Sequence, residues 1–356
     1  MDDVTDTVFR QIVAACAEPD LYFTEFVNVD GLVSVGRSKL LKKLQFAPSE
    51  TKLVAQLWGL KPENFRVIAD QIASGELAKE LGLPEGYNFV GVDLNMGCPA
   101  KSEVQNGACS ALIKLENRDL AGEIIEATRE GLAGRLPLSV KTRLGFNEVD
   151  MSWFNFLLSK KLNMLTVHGR TKKEMSKVPA HWDLIGQVAA MRTSLAPDTL
   201  IVGNGDAENH AHGQELAQQY GVDGIMIGRG VFQNPYVFDA NGTEKWEAIP
   251  PEARIALYRK QVELFAATPT GLTVSEVARR LNRTVSEIFR MLLCLEQRGY
   301  LVQSANKERY QLTLRLFRLG QEHPPTKRLV TEALPPMHQA AHELRQSCHL
   351  GVLDGG

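Results

Sequence analysis

The sequence lacks the features of a membrane, secreted or disordered protein. No apolar run among its 356 residues approaches the roughly 18 to 20 residues that span a bilayer, so no membrane partner is expected. The polar start MDDVTD does not follow the pattern of a signal peptide. Five cysteines, an odd number without regular spacing, argue against a disulfide framework, and a reducing cytoplasm is the expected location.

A strong net charge is also absent, since 40 basic side chains face 42 acidic ones. With 44% apolar residues, this balance is typical of a globular protein and excludes a disordered or fibrous one. The charge is unevenly distributed. From Gly271 onward there are 12 basic and 8 acidic residues, a net charge of +4, which leaves −6 for the rest of the chain. A weakly basic tail on an acidic body hints at a nucleic-acid partner.

Short apolar runs alternate with helical patterns along the first two thirds of the chain. Helices are predicted at 119–134 and 182–192, and strands at 21–27, 52–59, 87–95, 137–143, 164–170, 199–206 and 224–230. Runs that are apolar throughout and separated by helices indicate parallel strands buried on both faces. Seven such units are one short of a (β/α)₈ TIM barrel, and a doubly wound open sheet is the alternative.

Polar residues follow most of these runs and favour the barrel. In a barrel the carboxyl ends of the strands converge on one mouth, whereas in an open sheet they lie along an edge. The residues at or just past these ends are Asn95, Cys98, Lys141, Arg143, His168, Arg170, Asn204, Asp206 and Arg229.

The last two runs end in GNGD and IGRG, and their chemistry suits a flavin phosphate. Glycines expose backbone N–H groups, Arg229 offers a bidentate cation, and the last two strands are where barrels usually hold phosphate. Lys141 and His168, as cations or hydrogen-bond donors, could hold the electron-rich edge of the flavin ring, and Gln56 could bond there too. Tight turns need glycine in any case, and each of these side chains could instead be a solvated or internally bonded polar group.

Cys98 lies between Gly97 and Pro99, just after a predicted strand end, where a turn would aim it into the mouth. A lone cysteine is usually a small buried apolar residue, which is the expectation for the other four. Thiols are mostly protonated at pH 7, so Cys98 can serve as a proton donor beside a hydride donor. Nucleophilic catalysis would require a base beside it.

The segments DLNMGCPAK, VKTRLGF, TVHGRTKKE, IVGNGD and GIMIGRGVFQNPYVF resemble, in order and spacing, the tRNA-dihydrouridine synthases, over residues 1 to about 266. The resemblance implies an FMN-dependent barrel that reduces the 5,6 double bond of uridine in tRNA, with NADPH as reductant and Cys98 protonating C5. It implies FMN contacts from Gln56, Lys141, His168, Asn204, Asp206, Gly228 and Arg229. It places Asn95, Arg143 and Arg170 near the substrate. No metal site is predicted.

The start of the sequence departs from that family. The family opens with a strand ending in A-P-M before a segment like VTDTVFRQI, and here Met1 aligns with that methionine. The resemblance therefore predicts a missing or truncated first strand. A gap in the barrel wall, weaker FMN retention and lower stability are expected unless another segment fills the position.

The end departs as well. LYRKQVELFAATP begins like the connecting helix of the family's tRNA-gripping domain, but two amphipathic helices, 273–281 and 285–301, and a hairpin, 302–313, follow. Residues 258 to about 350, with a further helix in LVTEALPPMHQAAHELRQS, resemble the winged helix-turn-helix region of IclR-family regulators. By that resemblance duplex DNA is a further partner, and the groove, phosphate and wing contacts are Arg283, Thr284, Ser286, Arg290, Lys307 and Arg309. A packing or dimerisation module is the alternative, and the chain could form oligomers through it.

The predicted organisation is a barrel at 1–245, a connecting helix and linker at 246–270, a winged helix-turn-helix at 271–320 and a linker helix with tail at 321–356. Three hypotheses follow. The chain is a dihydrouridine synthase with an unusual tail, a DNA-binding or dimerising protein with an inactive barrel, or two unrelated halves joined naturally or artificially. The presence of all the predicted catalytic residues favours the first.

Overall fold

The computed structural model describes residues 5–240, 272–273, 276–277, 292, 295–296, 299–303, 309–315 and 324–344. The chain divides into two compact units, Met1–Leu257 and Tyr258–Gly356. Most of the predicted nucleic-acid contacts, namely Arg283, Thr284, Ser286, Arg290 and Lys307, lie outside the described residues.

The first unit is built on one all-parallel sheet. Its strands are β1 (Tyr22–Phe23), β2 (Val27–Asn28), β3 (Leu53–Trp58), β4 (Gly91–Met96), β5 (Leu138–Arg143), β6 (Met164–His168), β7 (Leu200–Asn204) and β8 (Gly224–Met226). Because β1 and β2 both pair with β3, they share one position, and the other strands follow in chain order. A doubly wound sheet reverses direction at a switch point, and this sheet does not. The seven strand positions in chain order are consistent with a (β/α)₈ barrel.

Helices connect the strands. They are α1 (Thr7–Cys16), α2 (Val29–Leu32), α3 (Arg37–Leu40), α4 (Pro62–Ala73), α5 (Glu76–Glu80), α6 (Lys101–Gln105), α7 (Arg118–Leu132), α8 (Met151–Ser159), α9 (Trp182–Leu195), α10 (His210–Tyr220) and α11 (Gly230–Gln233). Short 3₁₀ turns lie at Leu41–Leu44, Cys109–Ile113 and Leu115–Asn117. The helices predicted at 119–134 and 182–192 correspond to α7 and α9.

The two faces of the strands differ in chemistry because successive side chains point to opposite sides. One face packs against the helices: Trp153 of α8 donates its indole N–H to Thr142 at 2.9 Å, and Trp182 of α9 fills the space above Gly203. The other face carries the polar side chains Gln56, Asp93, Asn95, Ser139, Lys141, Thr166, His168 and Asn204. Polar groups are therefore concentrated on the inner face of the sheet.

Within residues 5–240 no hydrogen-bonded pair joins β8 to β1 or β2, so these strands form the two edges of the sheet. No strand precedes α1 in the same range. The truncated first strand remains a prediction, because residues 1–4 lie outside the described part of the chain.

Helix α1 is fixed by a buried ion pair. Arg10 and Glu50, each with a side chain 3% exposed, meet at 2.6 Å. Glu50 also accepts from the backbone N–H of Ala47 and from Thr7, while Arg10 donates to the carbonyls of Thr5 and Gln45. These residues are called the Arg10–Glu50 cluster below. Every charge in it has a protein partner, as a buried ion pair requires if it is not to be destabilising.

The second unit contains a small antiparallel hairpin, β9 (Leu301–Gln303) and β10 (Tyr310–Leu312), and a long helix, α12 (Pro324–Leu344). Leu272 forms a bridge to Tyr310, and the two pack with Val277, Leu292 and Leu301 in a core of their own. The hairpin predicted at 302–313 and the helix predicted after it are both present. No helix among the described residues is long and apolar enough to cross a bilayer.

Candidate active site

The strand register pairs several of the predicted site residues across neighbouring strands. Gln56 of β3 lies opposite Asp93 of β4, Asn95 opposite Lys141 of β5, and His168 of β6 opposite both Arg143 and Asn204. These residues lie at or near the carboxyl ends of their strands, as the sequence predicted. The surface they form is called the mouth below.

Cys98 lies in a turn that Asn95 holds. The side-chain oxygen of Asn95 accepts from the backbone N–H groups of Gly97 and Cys98 at 3.1 and 2.9 Å, and Arg143 donates to the Gly97 carbonyl at 2.8 Å. Cys98 is half-buried, and a negative charge on its sulfur would raise the pKa values of Lys141 and Arg143. The sulfur is therefore within electrostatic range of both cations.

Lys141 has no hydrogen-bond or ion-pair partner among the described residues, although its side chain is half-buried. Burial and the neighbouring Arg143 charge lower its pKa to about 8, against the attraction of Asp93 and Cys98. A half-buried ammonium without a partner is unfavourable in the empty protein and favours a ligand that brings acceptor atoms.

His168 is a neutral donor. Burial, together with the charges of Lys141, Arg143 and Arg170, lowers its pKa to about 2. Arg170 Nη1 lies 3.2 Å from His168 Nε2, and since a guanidinium can only donate, Nε2 is the acceptor and Nδ1 carries the proton. Of the two roles predicted for His168, the structure favours the hydrogen-bond donor over the cation.

Arg143 and Arg170, predicted near the substrate, are both buried and bonded within the protein. Arg143 donates to the carbonyls of Gly97, Thr171 and Met175, which joins the loops after β4 and β6. Arg170 donates to both carboxylate oxygens of Asp206 at 2.6 and 2.5 Å and to the Val178 carbonyl. Their guanidinium groups fasten the mouth loops, and their predicted contact with the substrate stays a prediction.

The ends of β7 and β8 are joined by a side-chain hydrogen bond. Asn204 donates to the Met226 carbonyl at 2.8 Å, and Gly205 and Asp206 adopt positive φ of 128° and 57°. Nothing lies within 4 Å of a Cβ built on Gly228, so its backbone is open to a ligand. Arg229 is exposed and has no hydrogen bond or ion pair to any described residue.

Sequence analysis missed Asp93 and Ser139. Asp93 is fully buried at 0% exposure, and its carboxylate accepts from Gln56 at 2.8 Å and from Ser139 at 2.6 Å. Burial raises its pKa to about 6, against the lowering effect of those hydrogen bonds and Lys141. The available signal was an acidic residue inside the otherwise apolar run FVGVDLN.

Of the predicted nucleic-acid contacts, Arg309 lies within the described residues. It forms an ion pair with Glu276 at 3.2 Å. The pair joins Arg309, which directly precedes the hairpin strand β10, to Glu276.

Comparisons with known proteins show which family the chain resembles. The family model described as Dihydrouridine synthase (Dus) matches residues 1–293. A probable tRNA-dihydrouridine synthase of Staphylococcus aureus (strain COL) is 43% identical over 247 residues, which cover 68% of this chain and 70% of that protein. Probable tRNA-dihydrouridine synthase 2 of Bacillus subtilis (strain 168) is 44% identical over 247 residues, covering 68% and 71%.

Among solved structures, histamine dehydrogenase from Rhizobium sp. 4-9 matches with a TM-score of 0.45 and 12% identity, covering 66% of this chain and 42% of that one. A likeness at this level has no bearing on function. The family model covers most of the chain, and the relatives are far above 30% identity over two thirds of their own length. The chain belongs to the dihydrouridine synthase family.

Proposed function

We propose that the protein is an FMN-dependent tRNA-dihydrouridine synthase that uses NADPH as reductant. The observation that carries the proposal is the Lys141 ammonium, which has no partner among the described residues and lies at the mouth with Cys98. An inactive barrel would have no reason to keep an uncompensated charge at that position, since substitution by an apolar residue would stabilise the fold.

The donor set fits a flavin. Lys141 and the Nδ1–H of His168 lie on neighbouring strands and have no partners in the described part of the chain, and they match the acceptor atoms at the pyrimidine end of a flavin ring. The open backbone at Gly228 and Arg229, which is unpaired among the described residues, follow the last strand, where a barrel holds phosphate. Gln56, Asn204 and Asp206 complete the proposed FMN contacts.

In the proposed reaction Cys98 gives its proton to C5 of the uracil. Reduced FMN, held by Lys141, His168 and Arg229, would supply the hydride for C6. As the proton leaves, negative charge develops on the sulfur, and the nearby cations Lys141 and Arg143 stabilise it. Asn95 holds the turn and so fixes the position of the sulfur. Proton donation by a positioned side chain contributes about 10² to 10⁴-fold to a rate.

A uracil within folded tRNA must leave its stack to reach the mouth. Asn95, Arg143 and Arg170 are the proposed substrate contacts. The loops after β4, β5 and β6, joined by Arg143, then form the wall against which the extruded nucleotide rests.

The test is nucleoside analysis of unmodified tRNA after incubation with the protein, FMN and NADPH. Dihydrouridine is expected with the wild type and with Cys16→Ala, a matched change of another half-buried thiol. Cys98→Ala should reduce the yield at least 100-fold. Absence of dihydrouridine from a flavin-loaded wild type, or full activity of Cys98→Ala, would contradict the proposal.

For the second unit we propose a winged helix-turn-helix that contacts nucleic acid. The hairpin β9–β10, bridged by Leu272 to Tyr310, supports it, because a wing is an antiparallel hairpin packed beside the helices. Arg283, Thr284, Ser286, Arg290, Lys307 and Arg309 are the proposed contacts with duplex DNA or tRNA. At a net charge of +4, binding should be weak for one copy and stronger for a dimer.

Gel shifts with duplex DNA and with tRNA test this second proposal. Arg283→Ala with Arg290→Ala should weaken binding and lessen its salt dependence. Equal binding by this double variant and the wild type would refute the proposed role of these residues.

A further inference from the structure

The buried carboxylate of Asp93 is a charge that the proposed reaction does not use. It lies on β4 in the interior of the sheet, within the first unit, and water cannot reach it. Burying a carboxylate is costly unless it is well bonded, and here burial outweighs its hydrogen bonds, since its pKa is raised. A neutral residue at this position would fit the fold better.

Asp93 determines the direction of a chain of amides. A carboxylate only accepts, so Gln56 must turn its Nε2 toward Asp93, at 2.8 Å. The Gln56 oxygen is thereby directed away, and it accepts from Asn95 Nδ2 at 3.4 Å.

The same alternation of donor and acceptor continues along the amides to the turn that carries the Cys98 sulfur. Because Asn95 gives its Nδ2 to Gln56, its oxygen faces the backbone N–H groups of Gly97 and Cys98. Reversal of either amide would place two donors, or two acceptors, against each other. The negative charge of Asp93 thus selects one of two orientations for each amide down to the Cys98 turn.

We infer that Asp93 is a positioning residue that orients Gln56 and Asn95, and through them the Cys98 turn. This inference rests on the proposed function for its effect on turnover, but its geometry is independent of the cofactor. Asp93 does not contact the substrate or the sulfur and acts only through the two amides.

The test compares wild type, Asp93→Asn, Gln56→Ala and the double variant. Asp93→Asn keeps the size but lets the amides reverse. It should lower kcat about tenfold, as loss of an orienting outer partner commonly does, and leave KM for tRNA within about twofold. The matched control is Asp70→Asn, an exposed aspartate paired with Arg135, which should change neither constant.

A second readout needs no turnover. The rate of Cys98 alkylation by iodoacetamide, followed by peptide mass mapping, should rise several-fold in Asp93→Asn, because the turn is held less firmly. Adding Asp93→Asn to Gln56→Ala should give no further change in either readout, since the two act in series. If Asp93→Asn does not fold, the size-matched Asp93→Leu replaces it with the same expectations.

Two results would overturn the inference: wild-type kcat and alkylation rate in Asp93→Asn, or equal effects of Asp93→Asn with and without Gln56. If the wild type makes no dihydrouridine, the proposed function fails, and the alkylation rates still decide the role of Asp93.

Discussion

The Arg10–Glu50 cluster and the mouth both bury charge, but they treat it in opposite ways. In the cluster the guanidinium and the carboxylate bond each other and the surrounding backbone. At the mouth the Lys141 ammonium and the His168 Nδ1–H have no partner among the described residues. Charge that stabilises a fold is satisfied within the protein, whereas charge held for a ligand is left available.

The largest expected difference concerns loss of one partner from the cluster. Glu50→Gln leaves the Arg10 charge buried without its counter-ion and should lower the free energy of unfolding by about 3–5 kcal/mol. Chemical denaturation measures this directly. The exposed pair Arg135–Asp70 is the control, and Asp70→Asn should cost less than about 1 kcal/mol. Equal losses of unfolding free energy at the two pairs would contradict the contrast between the buried and the exposed ion pair.

Substitution of Asp93 should raise the free energy of unfolding, whereas substitution of Glu50 lowers it, and the gain should depend on pH. Its folded-state pKa, about 6, lies above the ordinary 3.8, so the stability that its protonation gives is complete below about pH 4 and lost as the pH rises through 6. Asp93→Asn should therefore gain stability relative to wild type between pH 4 and 6, by up to about 3 kcal/mol, and keep that gain above pH 6.

Denaturation curves of the two proteins across this range provide the measurement. Subtracting one curve from the other removes the contribution of the other carboxylates. Among these are Asp206 and Glu174, where burial raises the pKa but hydrogen bonds lower it by more. A difference that does not vary with pH would show that Asp93 is not the titrating group.

Lys141→Met separates ligand binding from stability. Removal of a desolvated ammonium should raise the melting temperature of the flavin-free protein and weaken FMN binding about tenfold, equivalent to about 1.4 kcal/mol. Melting curves and flavin fluorescence titration measure the two effects. A lower melting temperature with unchanged FMN affinity would assign Lys141 to the fold.

The smallest effect is expected at Tyr22, beside the Arg10–Glu50 cluster. Its hydroxyl is buried and has no hydrogen-bond partner within the described ranges, and burial raises the pKa of the phenol. Tyr22→Phe should therefore stabilise the protein by about 1 kcal/mol, measurable as a small rise in melting temperature. A loss of stability would mean that the hydroxyl has a partner after all.

The sequence predicted the strands and their polar ends well, because apolar runs and the residues after them are local signals. Strand bounds were less accurate where a side chain changes the backbone. The run at 87–95 becomes a strand only at Gly91, since Asn88 bonds the N–H of Phe89 and the Ile72 carbonyl. The run at 164–170 ends at His168, whose carbonyl accepts from the N–H of Arg170.

The sequence predicted which residues lie at the mouth, but not the hydrogen bonds among them. The sequence shows that Arg143 and Arg170 lie at or after strand ends. It does not show their hydrogen-bond acceptors, which lie on other loops. Asp93 was missed for a similar reason: its function depends on Gln56 and Ser139, on two different strands. Cross-strand partners depend on register, which one sequence does not specify.

The central claim is that Cys98 donates the proton while bound flavin donates the hydride, and its most direct test separates the two half-reactions. Stopped-flow absorbance near the flavin band follows reduction of the FMN-loaded protein by NADPH and then its oxidation by unmodified tRNA. In Cys98→Ala, NADPH should reduce the FMN at the wild-type rate. Unmodified tRNA should then oxidise the reduced FMN at least 100-fold more slowly than in the wild type. Wild-type oxidation by tRNA in Cys98→Ala would contradict the assignment.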